Sequence, residues 1–212
     1  MCGRYVFDAD AEPALVIMNY IEQRFGPERA AKIKTGEICP TDLVPVLLTA
    51  EADPILPAAQ EAETYGSSQL IALPMIWGFP GFRGSQVLIN ARQETVEEKP
   101  TFSEAFKTRR CVIPTTGFIE WSHDDNGKAV DKFRFNALES PMLFLAGIYT
   151  LIEDEMRFVI LTTRANSSMA DIHNRQPVIL PRQMIRPWIS DLTAANELRQ
   201  TAGPLMVKTL LK

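Results

Sequence analysis

Short apolar runs separated by turn residues dominate this chain and predict a protein built mostly of strands. Runs of four to eight residues that are rich in β-branched and aromatic side chains are typical of strands, whereas helices need longer periodic segments. The Asp-Asn-Gly sequence at 125–127 is a typical hairpin turn. We therefore expect strands over 2–7, 43–49, 70–77, 86–91, 110–121, 132–135, 142–149 and 157–163.

Helical spacing appears near the two ends of the chain. Leu15, Met18, Ile21 and Phe25 recur every three or four residues and predict a helix over 11–25. Further short helices are expected over 28–34, 181–189 and 193–201. These elements together predict an α+β fold, with mostly antiparallel strands in a barrel-like or open mixed sheet and peripheral helices.

Residues 50–69 are rich in Ala, Glu, Pro and Ser and are expected to form an exposed loop. Apolar strands resume directly after them, so they do not mark a domain boundary. We expect one domain over residues 1–212.

Composition narrows the class of protein. The apolar fraction of 46% and charged fraction of 23% are ordinary for a globular protein. No apolar run is long enough to span a bilayer, and no secretory signal is visible, so no membrane partner is expected. The three cysteines are widely spaced, which argues against a disulfide framework or a zinc site and favours the reducing cytoplasm. We expect no metal and no cofactor.

Charge is unevenly distributed along the chain. The net charge of −4 argues against a general binder of polyanions. However, residues 157–186 hold five arginines and one acid, Asp171, which is compatible with a local phosphate-binding surface.

Cys2 is the most informative single residue. If Met1 is removed, Cys2 presents a thiol and a free α-amine on adjacent carbons. Such an aminothiol can condense with an aldehyde, first as an imine and then as a five-membered thiazolidine. An α-amine has a pKa of about 8 and is therefore far more often neutral near pH 7 than a lysine amine.

Three further segments place polar residues beside predicted apolar strands. Asn90 and Arg92 follow one such strand, and alternation sets them on the same face. Glu120 ends an apolar run beside Trp121, and His173 lies in a polar stretch that leads to Arg175. Each residue alone has an ordinary structural explanation, such as a turn or an ion pair.

The segments together resemble one family, the SOS response-associated peptidase (SRAP) domain proteins. The resemblance covers nearly the whole chain in the family's order, at residues 1–4, 77–79, 90–95, 110–114, 117–121 and 163–180. Two departures are a short stretch at 80–85 and Gln176, where a methionine is usual; the second is expected to alter only local packing.

The resemblance implies an abasic-site processing protein of the SOS response to DNA damage. Such proteins bind abasic sites in single-stranded DNA and link the N-terminal cysteine covalently to the ring-opened sugar. The partner would be single-stranded DNA with abasic sites, bound by a cytoplasmic monomer that joins the nucleoid at damaged DNA. Peptidase and lyase-like activity, including removal of Met1, would use the same centre.

The resemblance also suggests roles for particular residues. The expected catalytic residues are Cys2 as nucleophile, Asn90 as a hydrogen-bonding anchor, Glu120 as general acid–base and His173 as proton shuttle. The expected DNA-binding residues are Arg4, Trp77, Arg92, Trp121 and Arg175.

Two other functions use the same residues. In a cysteine-dependent peptidase or amidase with a substrate other than DNA, Cys2 would attack an acyl group. In a non-catalytic module for single-stranded nucleic acid, the arginines and tryptophans would be sufficient and Cys2 would be dispensable.

Overall fold

The computed structural model describes residues 3–49, 70–81, 84, 86–124 and 126–211. The predicted loop over 50–69 and the proposed nucleophile Cys2 lie outside the described residues. Within the described part, no helix is long and apolar enough to cross a membrane.

The strands form two main sheets. The five-stranded sheet has the order β14-β10-β9-β1-β2, and every pairing in it is antiparallel. Its strands are β1 (Arg4–Phe7), β2 (Gly36–Ile38), β9 (Gly117–His123), β10 (Ala129–Ala137) and β14 (Met206–Leu211).

The seven-stranded sheet closes on itself. Its strands are β3 (Leu43–Thr49), β4 (Leu70–Trp77), β7 (Asn90–Arg92), β8 (Arg110–Thr115), β11 (Leu143–Ile152), β12 (Glu155–Arg164) and β13 (Arg175–Pro177). The order β11-β8-β3-β4-β12 returns to β11 through the antiparallel β11–β12 pair, which makes a closed five-stranded barrel. Strand β12 also carries β7 and β13 at its carboxyl end.

Helices and a small hairpin complete the fold. The helices are α1 (Glu12–Phe25), α2 (Pro27–Ala30), α3 (Pro100–Thr108), α4 (Ile185–Ser190) and α5 (Leu192–Leu198), with a 3-10 turn at Arg182–Met184. Strands β5 (Phe79–Pro80) and β6 (Val87–Leu88) pair with each other. The predicted α+β class with mostly antiparallel strands, a barrel and few helices is confirmed.

The segment predicted as a single strand over 110–121 is two strands in different sheets. The chain leaves the barrel at the end of β8, turns at Thr116 and enters the five-stranded sheet as β9. Thr115 Oγ1 lies 2.6 Å from the carbonyl oxygens of both Val6 and Gly117. A Cβ at Gly117 would come within 2.8 Å of the Phe135 carbonyl oxygen, so the close approach of β9 to β10 requires glycine. This corner sets the position of Glu120.

Candidate active site

Asn90 and Arg92 lie on β7, which runs parallel to β12 with Asn90 opposite Ile160 and Arg92 opposite Thr162. Ala91 between them is buried, whereas Arg92 is exposed. Alternation along the strand therefore sends the Asn90 and Arg92 side chains to the same face, opposite to that of Ala91. The Arg92 side chain forms no hydrogen bond or ion pair with the residues that the structure describes.

Glu120 is buried in the interior of the protein. Its side chain is on the same face of β9 as the fully buried Phe118, and Phe133 lies opposite it on β10. Only 3% of its surface is exposed, and its Oε1 lies 3.4 Å from the Trp121 backbone nitrogen. A carboxyl group held in such a place can exchange a proton with a bound reactant with little competition from bulk water.

His173 precedes β13 and is oriented by the main chain. The Arg175 backbone N–H donates to His173 Nδ1 at 2.9 Å. The Arg175 carbonyl oxygen also lies 3.2 Å from Nδ1, so the Arg175 main chain fixes the orientation of the ring. Burial lowers the pKa of His173, and the negative charge of nearby Glu120 opposes this shift. His173 is therefore mainly neutral at pH 7, and it shares the electrostatic environment of Glu120.

Arg175 is built into the framework of the site. Its guanidinium donates to both carboxylate oxygens of Glu94 at 2.6 and 2.9 Å and to the Thr162 carbonyl at 2.6 Å. The Arg175 side chain is only 13% exposed. The same contact lowers the pKa of Glu94. Arg175 thus ties β12 and β13 to the turn after β7, and its predicted phosphate contact stays a prediction.

Gln176 follows Arg175 and is also fixed in place. It is fully buried, its Oε1 accepts the Asn166 N–H at 2.8 Å, and its Nε2 donates to the Ala202 carbonyl at 3.1 Å. The expectation that Gln176 alters only packing is wrong, because these hydrogen bonds join β13 to the loop before β14.

The two tryptophans differ in accessibility. Trp77 has no exposed surface, packs against the rings of Tyr5 and Phe158, and donates from Nε1 to the Ile89 carbonyl at 3.0 Å. A buried ring cannot stack on a base, so the structure corrects the predicted DNA contact of Trp77 to a core role. Trp121 is half-buried and lies on the outer face of β9.

Two residues that sequence reasoning missed, Lys132 and Glu37, lie near Trp121 together with the predicted Arg4. Arg4 and Lys132 both lie over the Trp121 ring, and both pair with Glu37, at 2.6 and 2.7 Å. Lys132 and Glu37 are 95 positions apart in the chain, and no sequence signal links them. Only the sheet order brings them together.

Cys39 and Cys111 are the other two cysteines of the chain, and neither is the proposed nucleophile. Cys111 is fully buried, and burial raises the pKa of its thiol well above the usual value. A thiol that resists ionisation is a poor nucleophile. Cys39 is reduced and half-buried beside β2. It provides a matched control for experiments on Cys2.

Comparisons with known proteins agree with this description. Residues 1–210 match the family described as SOS response associated peptidase (SRAP). The abasic site processing protein YoaM of Bacillus subtilis (strain 168) is 33% identical over 119 residues, which cover 54% of this chain and 52% of YoaM. This chain thus aligns with about half the length of that relative and of its Bacillus paralogues.

Other similarities extend along the whole chain. The abasic site processing protein YedK of Escherichia coli (strain K12) is 25% identical over 208 residues, covering 96% of this chain and 86% of YedK. A crystal structure of a Bacteroides thetaiotaomicron protein has the same fold, with a TM-score of 0.72, 21% identity, and coverage of 100% of this chain and 92% of the other. Since the family match spans nearly every residue, this chain belongs to the SOS response associated peptidase (SRAP) family.

Proposed function

We propose that this protein processes abasic sites in single-stranded DNA and forms a covalent link to them through Cys2 once Met1 has been removed. The observation that carries the proposal is the buried carboxyl of Glu120 on β9, the strand that pairs with β1 at the N-terminal end of the chain. The names of the relatives, abasic site processing proteins, support the choice of substrate.

The first strand of the chain lies beside the strand that carries the buried carboxyl. Strand β1 begins at Arg4, between β2 and β9. Arg4 pairs with Ile119, the residue before Glu120. Cys2 precedes Arg4 by two residues in the sequence, which supports its choice as the nucleophile.

The first chemical step opens the sugar. An abasic deoxyribose is mostly a closed hemiacetal, so the bond from C1′ to the ring oxygen must break. The hydroxyl on C1′ loses a proton, and the ring oxygen gains one. Glu120 is suited to move this proton as a general acid–base.

The second step joins the protein to the sugar. The neutral α-amine of Cys2 attacks the C1′ aldehyde, and loss of one water gives an imine. The thiol then adds to the imine carbon while its proton passes to the nitrogen, which closes the thiazolidine ring. Asn90 would hold the amine or a sugar hydroxyl without adding charge. His173, neutral at pH 7, would accept and return protons during the loss of water.

The same centre would remove Met1 in an earlier step. Attack of the Cys2 thiol on the Met1 carbonyl would break the amide bond, free the α-amine and form a thioester. A water molecule activated by Glu120 would then hydrolyse the thioester, releasing methionine and restoring the thiol. Alternatively, the activated water would hydrolyse the amide directly. This self-processing would account for the word peptidase in the family description.

Intact-mass spectrometry tests the proposal with three proteins: wild type, Cys2→Ser and Cys39→Ser. After incubation with an abasic oligonucleotide, the processed wild type and Cys39→Ser should gain the mass of the DNA minus one water. Cys2→Ser should give no heat-stable adduct, because a serine hydroxyl does not close a stable ring with the imine carbon.

Other results would separate the alternatives. Cleavage of an unrelated amide that depends on Cys2, without any DNA adduct, would favour the peptidase. DNA binding with no adduct and no effect of Cys2→Ser would favour the binding module.

A further inference from the structure

Four side chains gather on the outer face of the five-stranded sheet. Arg4 lies opposite Ile119, two residues before Trp121, and Lys132 lies directly opposite Trp121. Glu37 lies opposite Val6, two residues after Arg4. Because residues two apart share a face, Arg4, Glu37, Trp121 and Lys132 all point to the same side. We call these four residues the outer cluster.

Glu37 holds both cations of the outer cluster. Its Oε1 accepts from Arg4 at 2.6 Å, and its Oε2 accepts from Lys132 at 2.7 Å. Lys132 is on β10 and Glu37 is on β2, so their ion pair crosses the two strands between them, β9 and β1. Two positive charges and one negative charge leave the cluster with a net charge of +1.

The outer cluster is open to a ligand. The side chains of Arg4, Lys132 and Glu37 are 44%, 31% and 33% exposed. The guanidinium carbon of Arg4 is 5.8 Å and the ammonium of Lys132 is 5.6 Å from the centre of the Trp121 ring. Two partly exposed cations beside an aromatic side chain are suited to bind the phosphate of a nucleotide in single-stranded DNA.

Glu37 is negatively charged at neutral pH. The hydrogen bond from Lys132, followed by that from Arg4, lowers the pKa of this carboxyl against the opposing effect of burial. Its oxygens use the donors that a phosphate oxygen would use, since carboxylates and phosphates both accept charged N–H groups.

We propose that the outer cluster binds a nucleotide flanking the lesion, and that a DNA phosphate displaces Glu37 from Arg4 and Lys132. The inference rests on the proposed function for its choice of single-stranded DNA. It adds Lys132 as a cationic contact and Glu37 as a competitor that weakens binding.

Arg134 is a neighbouring cation on the same face, and its contacts show why only Arg4 and Lys132 are assigned to the outer cluster. Arg134 lies opposite Ile119 and pairs with Asp8 at 2.8 Å, but it is also within 3.3 Å of Thr116 Oγ1. Thr116 holds Asp8 as well, at 3.1 Å. Arg134 is thus part of the corner between β8 and β9, whereas Arg4 and Lys132 are held by the Glu37 carboxylate.

Fluorescence anisotropy with an undamaged single-stranded oligonucleotide, measured over a range of salt concentrations, tests the inference. An undamaged strand has no aldehyde, so only non-covalent binding is measured. Glu37→Gln should bind roughly two- to fivefold more tightly than wild type, the range for removing an exposed charge contact. Its plot of log K against log salt should be steeper by about 0.7, the value for one more phosphate neutralised on a single strand.

Lys132→Gln should bind the strand more weakly than wild type and give a shallower plot of log K against log salt. The double variant, Glu37→Gln with Lys132→Gln, should have an affinity and a slope close to those of wild type. Glu155→Gln is the matched control, because Glu155 also pairs with an arginine, Arg157 at 2.6 Å. Glu155 lies on β12 in the seven-stranded sheet, whereas the outer cluster lies on the five-stranded sheet. Glu155→Gln should leave affinity and slope unchanged.

The outcomes separate this inference from the proposed function. Weaker or unchanged binding by Glu37→Gln overturns the inference even where the wild type forms its adduct with abasic DNA. An equal gain from Glu155→Gln also overturns it, because the effect would then reflect net charge alone. Tighter binding by Glu37→Gln with no adduct in any protein would support the outer cluster and reject the covalent chemistry.

Discussion

Glu120 and Trp121 are neighbours on β9, yet they belong to two different regions of the molecule. Glu120 points inward, where 3% of its surface is exposed, and it influences the ionisation of His173. Trp121 points outward, between two cations that share a carboxylate. A strand sends successive side chains to opposite faces, so a single residue step separates the two environments.

The comparison shows how binding and proton transfer can be divided. Charges on the outer face are screened by water and salt and can exchange partners, which suits phosphate binding. A carboxyl on the inner face is shielded from both, which suits proton transfer. Variants of outer-face residues should therefore change DNA affinity and its salt dependence, whereas variants of inner-face residues should change the rate of adduct formation.

The largest effect is expected from Glu120→Gln. Loss of a general acid–base typically slows a reaction on the order of 10²- to 10⁴-fold, and we expect this loss in the rate of adduct formation. Affinity for an undamaged strand should stay within about twofold of wild type, because a buried carboxyl contributes little to phosphate attraction. Single-turnover gel assays and anisotropy measure the two quantities.

Glu155→Gln again serves as the control and should retain the wild-type rate. Equal losses of rate and affinity in Glu120→Gln would remove the division between the two faces and indicate a structural role for Glu120.

A smaller effect is expected from substituting Arg92 and Arg175, two arginines for which sequence analysis predicts the same DNA-binding role. Arg175→Ala removes the guanidinium that holds both carboxylate oxygens of Glu94, and it leaves the Thr162 carbonyl with the Gln93 N–H as donor. This loss should cost about 1–3 kcal/mol of unfolding free energy. Arg92→Ala removes an exposed side chain and should change stability by less than about 0.5 kcal/mol. It should instead reduce the steepness of the plot of log K against log salt by about 0.7. Urea unfolding and anisotropy test the pair.

If Arg175→Ala is as stable as wild type and flattens the salt dependence, Arg175 is a phosphate contact after all. If Arg92→Ala leaves the salt dependence unchanged, the exposed face of β7 is not part of the DNA path.

The smallest effect that we expect is the contribution of His173 to the pH dependence of the unfolding free energy. The folded protein lowers the pKa of His173, so below the unfolded value of about 6.5 the unfolded chain binds more protons. The stability contributed by neutral His173 is therefore present above that pH and is lost as the pH falls below it. Unfolding free energy measured at pH 7.5 and 5.5 should fall more for wild type than for His173→Gln. Identical pH dependence in the two proteins would contradict this assignment.

Local patterns predicted much of the secondary structure. Helix α1 and strands β3 and β4 agree with expectation to within one residue, because each has a strong apolar periodicity of its own. Helix α3 and strands β2, β13 and β14 were not predicted. Strands β2 and β13 have three residues each, too few for a periodic signal, and β14 lies at the edge of its sheet beside β10.

Sequence reasoning was weaker on the environment of each site residue. Trp77 and Trp121 both follow apolar strands, and nothing local distinguishes a ring buried under Phe158 from one on the surface. The same holds for Arg92 and Arg175, one exposed and the other bound to Glu94. Burial depends on what packs from elsewhere in the chain.

Local periodicity and ordered motifs were sufficient to predict the α+β class, most of the longer strands and the family. The folded chain was needed to see that the segment over 110–121 divides between two sheets at Thr116, so that Glu120 enters the interior. The same holds for the meeting of Glu37 and Lys132 around Trp121. Contacts of this kind join residues far apart in sequence, and their formation depends on strand order and register, which no local pattern specifies.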